Sequence, residues 1–434
     1  MSRSLADIAA ELQGYDPQAL RADTVNAFLH RLVDPVADTE SVPVPEALGR
    51  VLAADVVSPV SVPPHDNSAM DGYAFAGRAL AAGAALQLRV VGTAMAGKAW
   101  AGACGDGECV RIMTGAIMPA GLDTVVPQEF CRVESSPEGD SVHLPAGVVA
   151  PCDNRRLCGE DLMAGRAALP AGQRITPAAL GLIASLGLPR VAVRRRVRVA
   201  YFSTGDEILS LGEAPREGAV YDSNRYTVFG LLTRLGIEVL DYGVVRDDPA
   251  ALRAAFERGA CEADAIITSG GVSVGEADHT KAMMRELGDV AFWRIAMRPG
   301  RPMAVGRTHA DAATGRSALL FGLPGNPVAV MVTFLAFVRP ALLRLMGARA
   351  DDAAPLLQAH SLGPMRKKPG RTESPRGIVS VAPDGRLQVR TTGNQGSGVL
   401  SSMVQANGLI VLHHAQGNVA PGDSVQVLML DGVM

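Results

Sequence analysis

The sequence has few aromatic residues and almost no net charge, and both shortages limit what the protein can bind. Phe, Trp and Tyr together make up 4% of the 434 residues, which leaves little surface for stacking nucleic acid bases. Lys and Arg number 41 against 44 for Asp and Glu, so the formal net charge is −3. Proteins that bind nucleic acid or anionic membranes through bulk charge are usually strongly basic, so we expect no nucleic acid partner and no membrane partner.

Cysteine and histidine are also sparse, and their spacing matches no common metal motif. The six cysteines include no CxxC pair, and the eight histidines form neither HExxH nor HxxxH. We therefore expect reduced thiols and no structural zinc site.

Long hydrophobic runs are missing as well. The longest apolar run, Val328 to Val338, contains Thr333 and is too short to cross a bilayer, so it predicts a buried helix. The first residues, MSRSLADIAAELQGYD, lack the apolar core of a signal peptide, and we expect a cytoplasmic protein.

Alternating strand and helix patterns are the clearest feature of residues 194–348. Short β-branched runs such as RVRVAYFST alternate with amphipathic segments such as SNRYTVFGLLTRLG, for which Ser223 is the expected N-cap. Strands that alternate with helices of this length predict a parallel, doubly wound sheet.

The rest of the chain lacks this alternation and predicts an α/β protein of several domains. Helical patterns occupy the start of the chain, Gly and Pro with scattered strands follow, and the last region carries hairpin signals such as Asp384-Gly385. The expected division is a mixed helical and β lobe (1–55 and 151–193), a β-rich inserted domain (56–150), the doubly wound domain (194–348) and a small C-terminal β-barrel or sandwich (349–434).

Four polar loops each follow a predicted strand of the doubly wound domain. They are TGDE (204–207), RDD (246–248), SGGVSVGEAD (269–278) and GLPGNP (322–327). Ligands of doubly wound sheets bind beyond the carboxyl ends of the strands, so we expect these loops to converge on one rim.

Two of the loops are suited to hold a phosphate group. Consecutive glycines in SGGVSVG let backbone N–H groups turn toward an anion, and the helix that follows adds partial positive charge. In GLPGNP the prolines stiffen the loop, Gly325 allows close approach, and Asn326 can cap the next helix. Each loop taken alone could equally be a tight turn or a helix cap.

Carboxylates stand in three of the four rim loops, namely Glu207, Asp247, Asp248 and Asp278. Converging carboxylates beside a phosphate repel it and each other unless a cation lies between them. Mg²⁺ is the simplest ion with a preference for oxygen ligands. The alternative is a solvated acidic surface.

Arginines complete the set of charged candidates. WRIAMRPGRP supplies Arg294, Arg298 and Arg301, and KKPGR supplies Arg371. The planar guanidinium suits tetrahedral oxyanions, although a surface salt bridge is the alternative for each residue. The loops together predict a ligand that carries phosphate, is bridged by a metal ion and meets a second small anion.

With PPHDNSAMDGYAF, TGA (114–116) and GED (159–161), these motifs resemble those of the molybdopterin molybdenumtransferase (MoeA) family, which is similar to the gephyrin E domain. The likeness covers essentially the whole chain. It implies a MogA-like doubly wound domain, a lobe used for linkage and dimerisation, a β-rich inserted domain and a C-terminal β-barrel. It also implies Mg²⁺-dependent insertion of molybdate into adenylylated molybdopterin with release of AMP, by a homodimer that contacts other molybdenum cofactor biosynthesis proteins.

The resemblance also implies roles for single residues. The residues with a catalytic role in the cleft would be Asp66, Thr114, Asp161, Glu207, Asp247 and Asp278. Glu207, Asp247 and Asp278 would also hold Mg²⁺. The pterin phosphate would be bound by Thr204, Ser269, Gly270, Gly271, Val272, Ser273, Gly275, Lys281, Pro324, Gly325, Asn326 and Pro327. Molybdate would be bound by Arg298, Arg301, Arg371 and Ser397. Asp66, Thr114 and Asp161 would face the doubly wound domain of the partner subunit.

One departure from the family and two alternatives follow from the same comparison. The family usually has Lys where this chain has Arg294, Arg298 and Arg301, so the charge is kept on bulkier groups. A scaffold of the gephyrin type is an alternative function, and tungstate is an alternative anion of nearly the same size and charge. The intact rim carboxylates and both anion loops favour the enzyme.

Overall fold

A six-stranded sheet forms the centre of the computed structural model, which describes residues 4–81, 83–272, 279–309, 315–349 and 354–434. Its strands are β1 (Arg198–Thr204), β2 (Glu238–Val245), β3 (Ala265–Ser269), β4 (Gly288–Arg294), β5 (Pro302–Thr308) and β6 (Leu319–Leu323). Their spatial order is β2-β1-β3-β6-β5-β4. The first four strands in this order are parallel, and β5 is antiparallel to both of its neighbours.

Helices cover both faces of this sheet, as a doubly wound fold requires. They are α1 (Ser223–Arg234), α2 (Pro249–Glu262), α3 (His279–Leu287) and α4 (Pro327–Leu345). Successive residues of β1 alternate between two cores: Val199 and Tyr201 pack in the core with α1 and α4, and Ala200 and Phe202 in the core with α2 and α3. The strand is buried on both sides, which explains its continuous apolar sequence.

Helix α4 contains the apolar run that the sequence predicts to be buried. It extends to 19 residues because the helix continues through Arg339 to Leu345, with a π-helical segment at Phe334–Val338. In the part of the chain that the structure describes, it is the one helix long and apolar enough to cross a membrane. However, 83% of its most apolar window is buried inside the protein, as in a core helix.

Three further units surround the sheet. In the inserted β unit, six strands form one sheet in the spatial order Thr124–Pro127, Gly72–Phe75, Glu108–Ile112, Leu86–Ala94, Gly139–Leu144 and Arg132–Ser136. A closed barrel contains the strands Leu356–Ser361, Leu387–Thr391, Arg376–Val381, Gly408–Val411 and Ser424–Met429. The lobe has the helices Leu5–Ala10, Ala22–Leu32 and Pro177–Ser185 and the paired strands Thr39–Pro43 with Arg190–Arg194, Val56–Val57 with Ala167–Leu169, and Asn67–Ser68 with Arg155–Arg156.

The predicted fold class is confirmed, with the barrel in place of the alternative sandwich. One feature of the sheet differs from the expectation of parallel strands. The segment WRIAMRPGRP, which the sequence singles out only for its arginines, joins β4 to the antiparallel β5. Strand direction depends on the partner strand, which local sequence does not specify.

Candidate functional site

The polar loops of the sheet domain lie along one rim in a definite order. The carboxyl ends of β2, β1, β3 and β6 meet at this edge, and β5 begins there because it is antiparallel to β6. Along the rim come two acidic loops (246–248 and 204–207), two glycine loops (270–272 and 324–326) and the arginine segment 294–301. Neighbouring strands are about 4.8 Å apart, so the rim spans roughly 20 Å.

Two glycines make the loop after β3 tight enough to expose its backbone. Gly270 has φ +91°, and a Cβ there would lie 2.6 Å from the carbonyl oxygen of Thr204; Gly271 has φ +64°, and its Cβ would lie 2.5 Å from Thr280 Oγ1. The Gly270 N–H donates to the carbonyl oxygen of Leu323 (3.2 Å), which ties this loop to the next strand. Within the described ranges, the N–H groups of Gly271 and Val272 have no partner, so they can bind an anion.

The Ser269 side chain lies beneath the loop in a buried network of hydroxyl groups. Its Oγ is 2.7 Å from Tyr201 Oη and 3.2 Å from Ser203 Oγ, and Ser203 Oγ donates to Asp222 Oδ1 (2.9 Å). The Ser203 hydroxyl donates its proton to Asp222. The hydrogen bonds among Tyr201, Ser203 and Ser269 must therefore use the hydroxyl protons of Tyr201 and Ser269. Burial raises the pKa of Asp222 and of Tyr201. Ser269 therefore supports the loop from below, and the backbone provides the anion donors.

Thr204 and Lys281 flank the same loop. Thr204 is buried, and its Oγ1 donates to the carbonyl oxygen of Ser269 at a long 3.5 Å. Lys281 is half-buried in the first turn of α3. Ser273 and Gly275, predicted to bind the same phosphate, lie outside the described residues.

The GLPGNP loop is held by two segments that are distant in sequence. Asn224 Nδ2 at the start of α1 donates to the carbonyl oxygen of Gly325 (2.8 Å), a contact that sequence reasoning missed. The Val328 N–H in the first turn of α4 donates to the carbonyl oxygen of Ser397 (3.0 Å). Asn326 occupies the N-cap position between Pro324 and Pro327, but its side chain makes no capping hydrogen bond. The structure thus brings Ser397 of the barrel domain to the glycine loops.

The acidic end of the rim carries two exposed carboxylates on neighbouring strands. Glu207 follows β1 and Asp247 follows β2. Asp248 instead caps α2 by accepting a hydrogen bond from the Ala251 N–H (2.8 Å). Asp278 lies outside the described residues, and the described part of the chain holds no cluster of three or more potential metal ligands.

Two arginines that sequence reasoning missed also reach this acidic end. Arg216 and Arg246 both donate to the carbonyl oxygen of Asp206, Arg246 at 3.4 Å. They place positive charge next to the Glu207 loop. The RDD loop includes Arg246, but only its carboxylates are candidates from the sequence, and no motif includes Arg216.

At the other end of the rim, the structure brings two predicted molybdate ligands together. The strand Met297–Arg298 pairs with Thr372–Glu373, so that Arg298 is the register partner of Glu373. Arg371 Nε donates to Glu373 Oε1 at 2.7 Å. Arg298 and Arg301 are exposed, and among the described residues their guanidinium groups have no hydrogen-bonding or ionic partner. They are free to bind an oxyanion.

The three predicted cleft residues outside the sheet domain also come together. Strand Asn67–Ser68 pairs with Arg155–Arg156, and the Met118 N–H donates to the carbonyl oxygen of Asp66 (2.9 Å). The Asp161 N–H donates to the carbonyl oxygen of Val62 (3.1 Å). The segments that carry Asp66, Thr114 and Asp161 therefore form one surface, which we call the lobe patch.

Hydrogen bonds hold two carboxylates of the lobe patch in their ionised form. The Cys158 N–H (2.7 Å) and Arg155 Nε (2.9 Å) donate to Asp66 and lower its pKa. Asp71 accepts from the N–H (2.6 Å) and Oγ1 (2.7 Å) of Thr114, and its pKa is lowered as well. Asp71 was not singled out from the sequence, although it lies in DNSAMDG. Because Asp71 accepts this hydrogen bond, the hydroxyl proton of Thr114 is already engaged.

The lobe patch and the rim are formed by different units of the chain. No hydrogen bond or ion pair between described residues joins the two surfaces. Each surface holds only part of the predicted residue set.

Three family models match successive parts of the chain. They describe the MoeA N-terminal region, domains I and II (residues 19–187), a probable molybdopterin binding domain (200–344) and the MoeA C-terminal region, domain IV (358–430). The order of the matches follows the order of the lobe, sheet and barrel units.

Curated relatives and solved structures match over most of the chain. The molybdopterin molybdenumtransferase of Haemophilus influenzae is 39% identical over 90% of this chain and 93% of its own, and that of Nostoc sp. is 35% identical over 96% and 95%. A molybdopterin biosynthesis moeA protein from Pyrococcus horikoshii superposes with a TM-score of 0.79 at 26% identity, over 95% of this chain and 100% of that one.

Fold and site together define a multidomain α/β protein whose sheet domain matches the family model of a molybdopterin binding domain and carries polar loops along one rim. The chain belongs to the molybdopterin molybdenumtransferase (MoeA) family, a family of transferases in molybdenum cofactor biosynthesis. The resemblance noted from its motifs is confirmed. The roles of the individual site residues stay predictions.

Proposed function

We propose that this protein inserts molybdate into adenylylated molybdopterin with release of AMP, as a Mg²⁺-dependent homodimer in the cytoplasm. The observation that carries the proposal is the order of the rim: carboxylates, then glycine loops, then unpaired arginines. A substrate with phosphate groups and a separate small oxyanion needs these three environments side by side.

The glycine loops are suited to the phosphate of the pterin substrate. The free N–H groups of Gly271 and Val272 can donate to phosphate oxygens, and the N-terminus of α4 follows the second loop. The neighbouring Arg298 and Arg301 can bind molybdate through charge-assisted hydrogen bonds. Both ligands are then held within a few strand widths of each other.

The acidic end of the rim is suited to Mg²⁺. Glu207 and Asp247 supply oxygen ligands from neighbouring strands, and Mg²⁺ is usually bound by one or two carboxylates with phosphate and water. When bound, the ion would neutralise phosphate charge as AMP leaves. The exposed carboxylates of Glu207 and Asp247 would hold the ion beside the phosphate-binding loops.

The activity can be tested with purified protein, adenylylated molybdopterin, molybdate and Mg²⁺. We expect AMP release that depends on molybdate and Mg²⁺, with molybdenum cofactor that activates an apo-molybdoenzyme. Glu207→Gln should slow this reaction by on the order of 10²-fold, because a metal ligand is lost. A non-catalytic scaffold would release no AMP under any of these conditions, and tungstate in place of molybdate tests the anion preference.

The homodimer is supported by apolar surface next to both halves of the site. Met70 (45% exposed) and Leu157 (52% exposed) border the lobe patch. Tyr221, Tyr226 and Phe229 are similarly exposed next to the rim, at the start of α1. Exposed apolar patches commonly mark interfaces, so we propose that the lobe patch of one subunit completes the rim of its partner.

Mixed dimers test this arrangement. An Asp66→Ala chain and a Glu207→Ala chain are each expected to be inactive, but a mixed dimer contains one site with both residues intact. Because that is one site in two, about half the activity per mixed dimer should return, and we expect recovery when the chains are coexpressed with different affinity tags. If subunits exchange and no activity returns, Asp66 and Glu207 belong to the same subunit's site. Coexpression of two Asp66→Ala chains is the control.

The biosynthetic role of the family also implies contact with other molybdenum cofactor biosynthesis proteins, which would hand the adenylylated pterin to this rim.

A further inference from the structure

A buried arginine at the edge of the barrel organises the loop that carries Ser397. Arg376, the first residue of the strand Arg376–Val381, is 1% exposed. Its Nε donates to Ser402 Oγ (2.9 Å), and its Nη2 donates to the carbonyl oxygens of Asn394 (3.2 Å) and Gly396 (3.0 Å). One guanidinium group thus binds two carbonyl groups of the loop 394–397 and the hydroxyl group of Ser402, which follows that loop.

The main chain of Arg376 binds the same loop. Its N–H donates to Gln395 Oε1 (2.8 Å), and its carbonyl oxygen accepts from Gln395 Nε2 (3.3 Å). On the far side, the carbonyl oxygen of Ser397 accepts from the Val328 N–H at the start of α4. The loop 394–397 is therefore fixed between the barrel and the glycine loops, and Arg376 sets its position.

The charge of Arg376 has no counterion within the described residues. The three groups that accept hydrogen bonds from its guanidinium are neutral, and no described residue forms an ion pair with it. Charged groups at this edge include Arg298, Arg371, Lys367 and Glu373, and Glu373 is paired with Arg371. Burial and the neighbouring Arg298 lower the pKa of Arg376. Three guanidinium groups thus share one carboxylate, and an oxyanion would supply the missing negative charge.

We propose that Arg376 is a positioning residue for oxyanion binding, since it holds the loop that presents Ser397 and leaves the surface beside Arg298 short of negative charge. This inference rests on the proposed function, in which the oxyanion is molybdate. The role of Arg376 is one of positioning, because its Nε and Nη2 are bound to Ser402 and to the loop 394–397.

The test measures binding of inorganic molybdate to the full-length protein by calorimetry, next to the KM values for molybdate and for adenylylated molybdopterin. Arg376→Gln removes the charge and most of the loop contacts. We expect it to raise the dissociation constant for molybdate about tenfold or more, the effect of losing at least one charge-assisted hydrogen bond. The KM for the pterin should stay within about twofold, because the N–H groups of Gly271 and Val272 are unchanged.

Two further variants separate positioning from barrel stability. Gln395→Ala keeps the Arg376 charge and the barrel strand but loosens the loop, and should weaken molybdate binding severalfold with the same selectivity. A double variant, Arg376→Gln with Ser397→Ala, should cost less than the sum of the two single changes, because both act through one loop. Arg390→Gln, an exposed charge in the same barrel, is the matched control and should bind molybdate normally.

Two results would overturn the inference. One is wild-type molybdate affinity in Arg376→Gln or, if that variant does not fold, in Gln395→Ala. The other is equal weakening of molybdate and pterin, which indicates general loss of structure. If the wild-type protein binds molybdate as expected but releases no AMP, the proposed function fails while the inference about Arg376 stands.

Discussion

Among single residues, the arginines differ most from one another despite similar sequence surroundings. Arg371 forms an ion pair with the buried Glu373, whereas the guanidinium groups of Arg298 and Arg301 have no partner among the described residues. Arg376 is buried and donates hydrogen bonds to the loop 394–397. The sequence indicates Arg298, Arg301 and Arg371 as equivalent oxyanion candidates and gives no sign of a role for Arg376. Their different roles depend on the strand pairing of Arg298 with Glu373, which joins two domains.

Arg301→Ala should weaken molybdate binding selectively. Molybdate is too small to bury apolar area, so its affinity depends on charge-assisted hydrogen bonds, and we expect a loss of about tenfold to a hundredfold, or 1.4–2.8 kcal/mol. Arg371→Ala should cost less, because Glu373 already offsets its charge. Guanidinium groups keep their charge from pH 7 to 9, so molybdate affinity should not fall over this range. Calorimetric titration checks both expectations, and an equal loss of pterin affinity in Arg301→Ala would assign this arginine to the phosphate.

At the scale of elements, the two glycine loops at the strand ends differ in whether they can accept a side chain. Gly271 has a left-handed backbone conformation and no room for a side chain, whereas a Cβ at Gly325 would meet nothing within 4 Å. The two loops look equivalent in sequence. The left-handed backbone of Gly271 and the packing of Thr280 against it make one of them intolerant of substitution.

Gly271→Ala and Gly325→Ala form a matched pair of loop substitutions. Gly271→Ala should destabilise the sheet domain by about 1–3 kcal/mol, because it adds backbone strain and a contact with Thr280. Its N–H also moves, so pterin affinity should fall. Gly325→Ala should leave stability nearly unchanged. Thermal unfolding and pterin KM measure the two effects, and similar behaviour of both variants would show that the loop after β3 can adapt.

The start of α1 shows how far local sequence rules extend. They predict the helix correctly but name Ser223 as its N-cap, whereas Asp222 is the cap and accepts from the Arg225 N–H. Both residues are good caps by type. Asp222 is preferred here because its carboxylate also accepts from Ser203 in the network below the rim.

At the scale of the whole molecule, an ion pair lies at the junction between the lobe and the sheet domain. Arg195 follows the lobe strand Arg190–Arg194 and binds Asp264 through two parallel hydrogen bonds of 2.7 Å. Burial disfavours the charge of Asp264, but Arg195 and the Arg198 N–H outweigh this effect and lower its pKa. Arg195 also contacts the exposed Asp38.

Asp264→Asn should destabilise the protein by about 3 kcal/mol at neutral pH, since it leaves Arg195 without its buried partner. The lowered pKa of Asp264 means that its contribution is present above the unfolded value of about 3.9 and is lost as pH falls below it. The difference from the wild type should therefore narrow between pH 7 and pH 3. Denaturant unfolding at both pH values measures it.

Asp38→Asn is the control for this ion pair, because it removes the exposed partner of the same arginine. We expect a loss of less than about 1 kcal/mol at pH 7. Equal losses in the two variants would contradict a special role for the buried pair.

The sequence by itself determined the fold class, the positions of the sheet-domain helices and parallel strands, and the loops that follow them. Periodicity, caps and glycine clusters are local signals, so they are readable without the folded chain. The motifs were also sufficient to predict the family, because their order along the chain is specific.

The tertiary structure alone decided which candidate groups meet. The antiparallel β5, the pairing of Arg298 with Glu373, the contact of Val328 with Ser397 and the assembly of the lobe patch all join segments distant in sequence. It also decided that the Ser269 side chain is buried below the loop and that Arg376 holds the loop of Ser397. Such contacts arise from packing between domains and from strand pairing, and neither leaves a periodic signal in the local sequence.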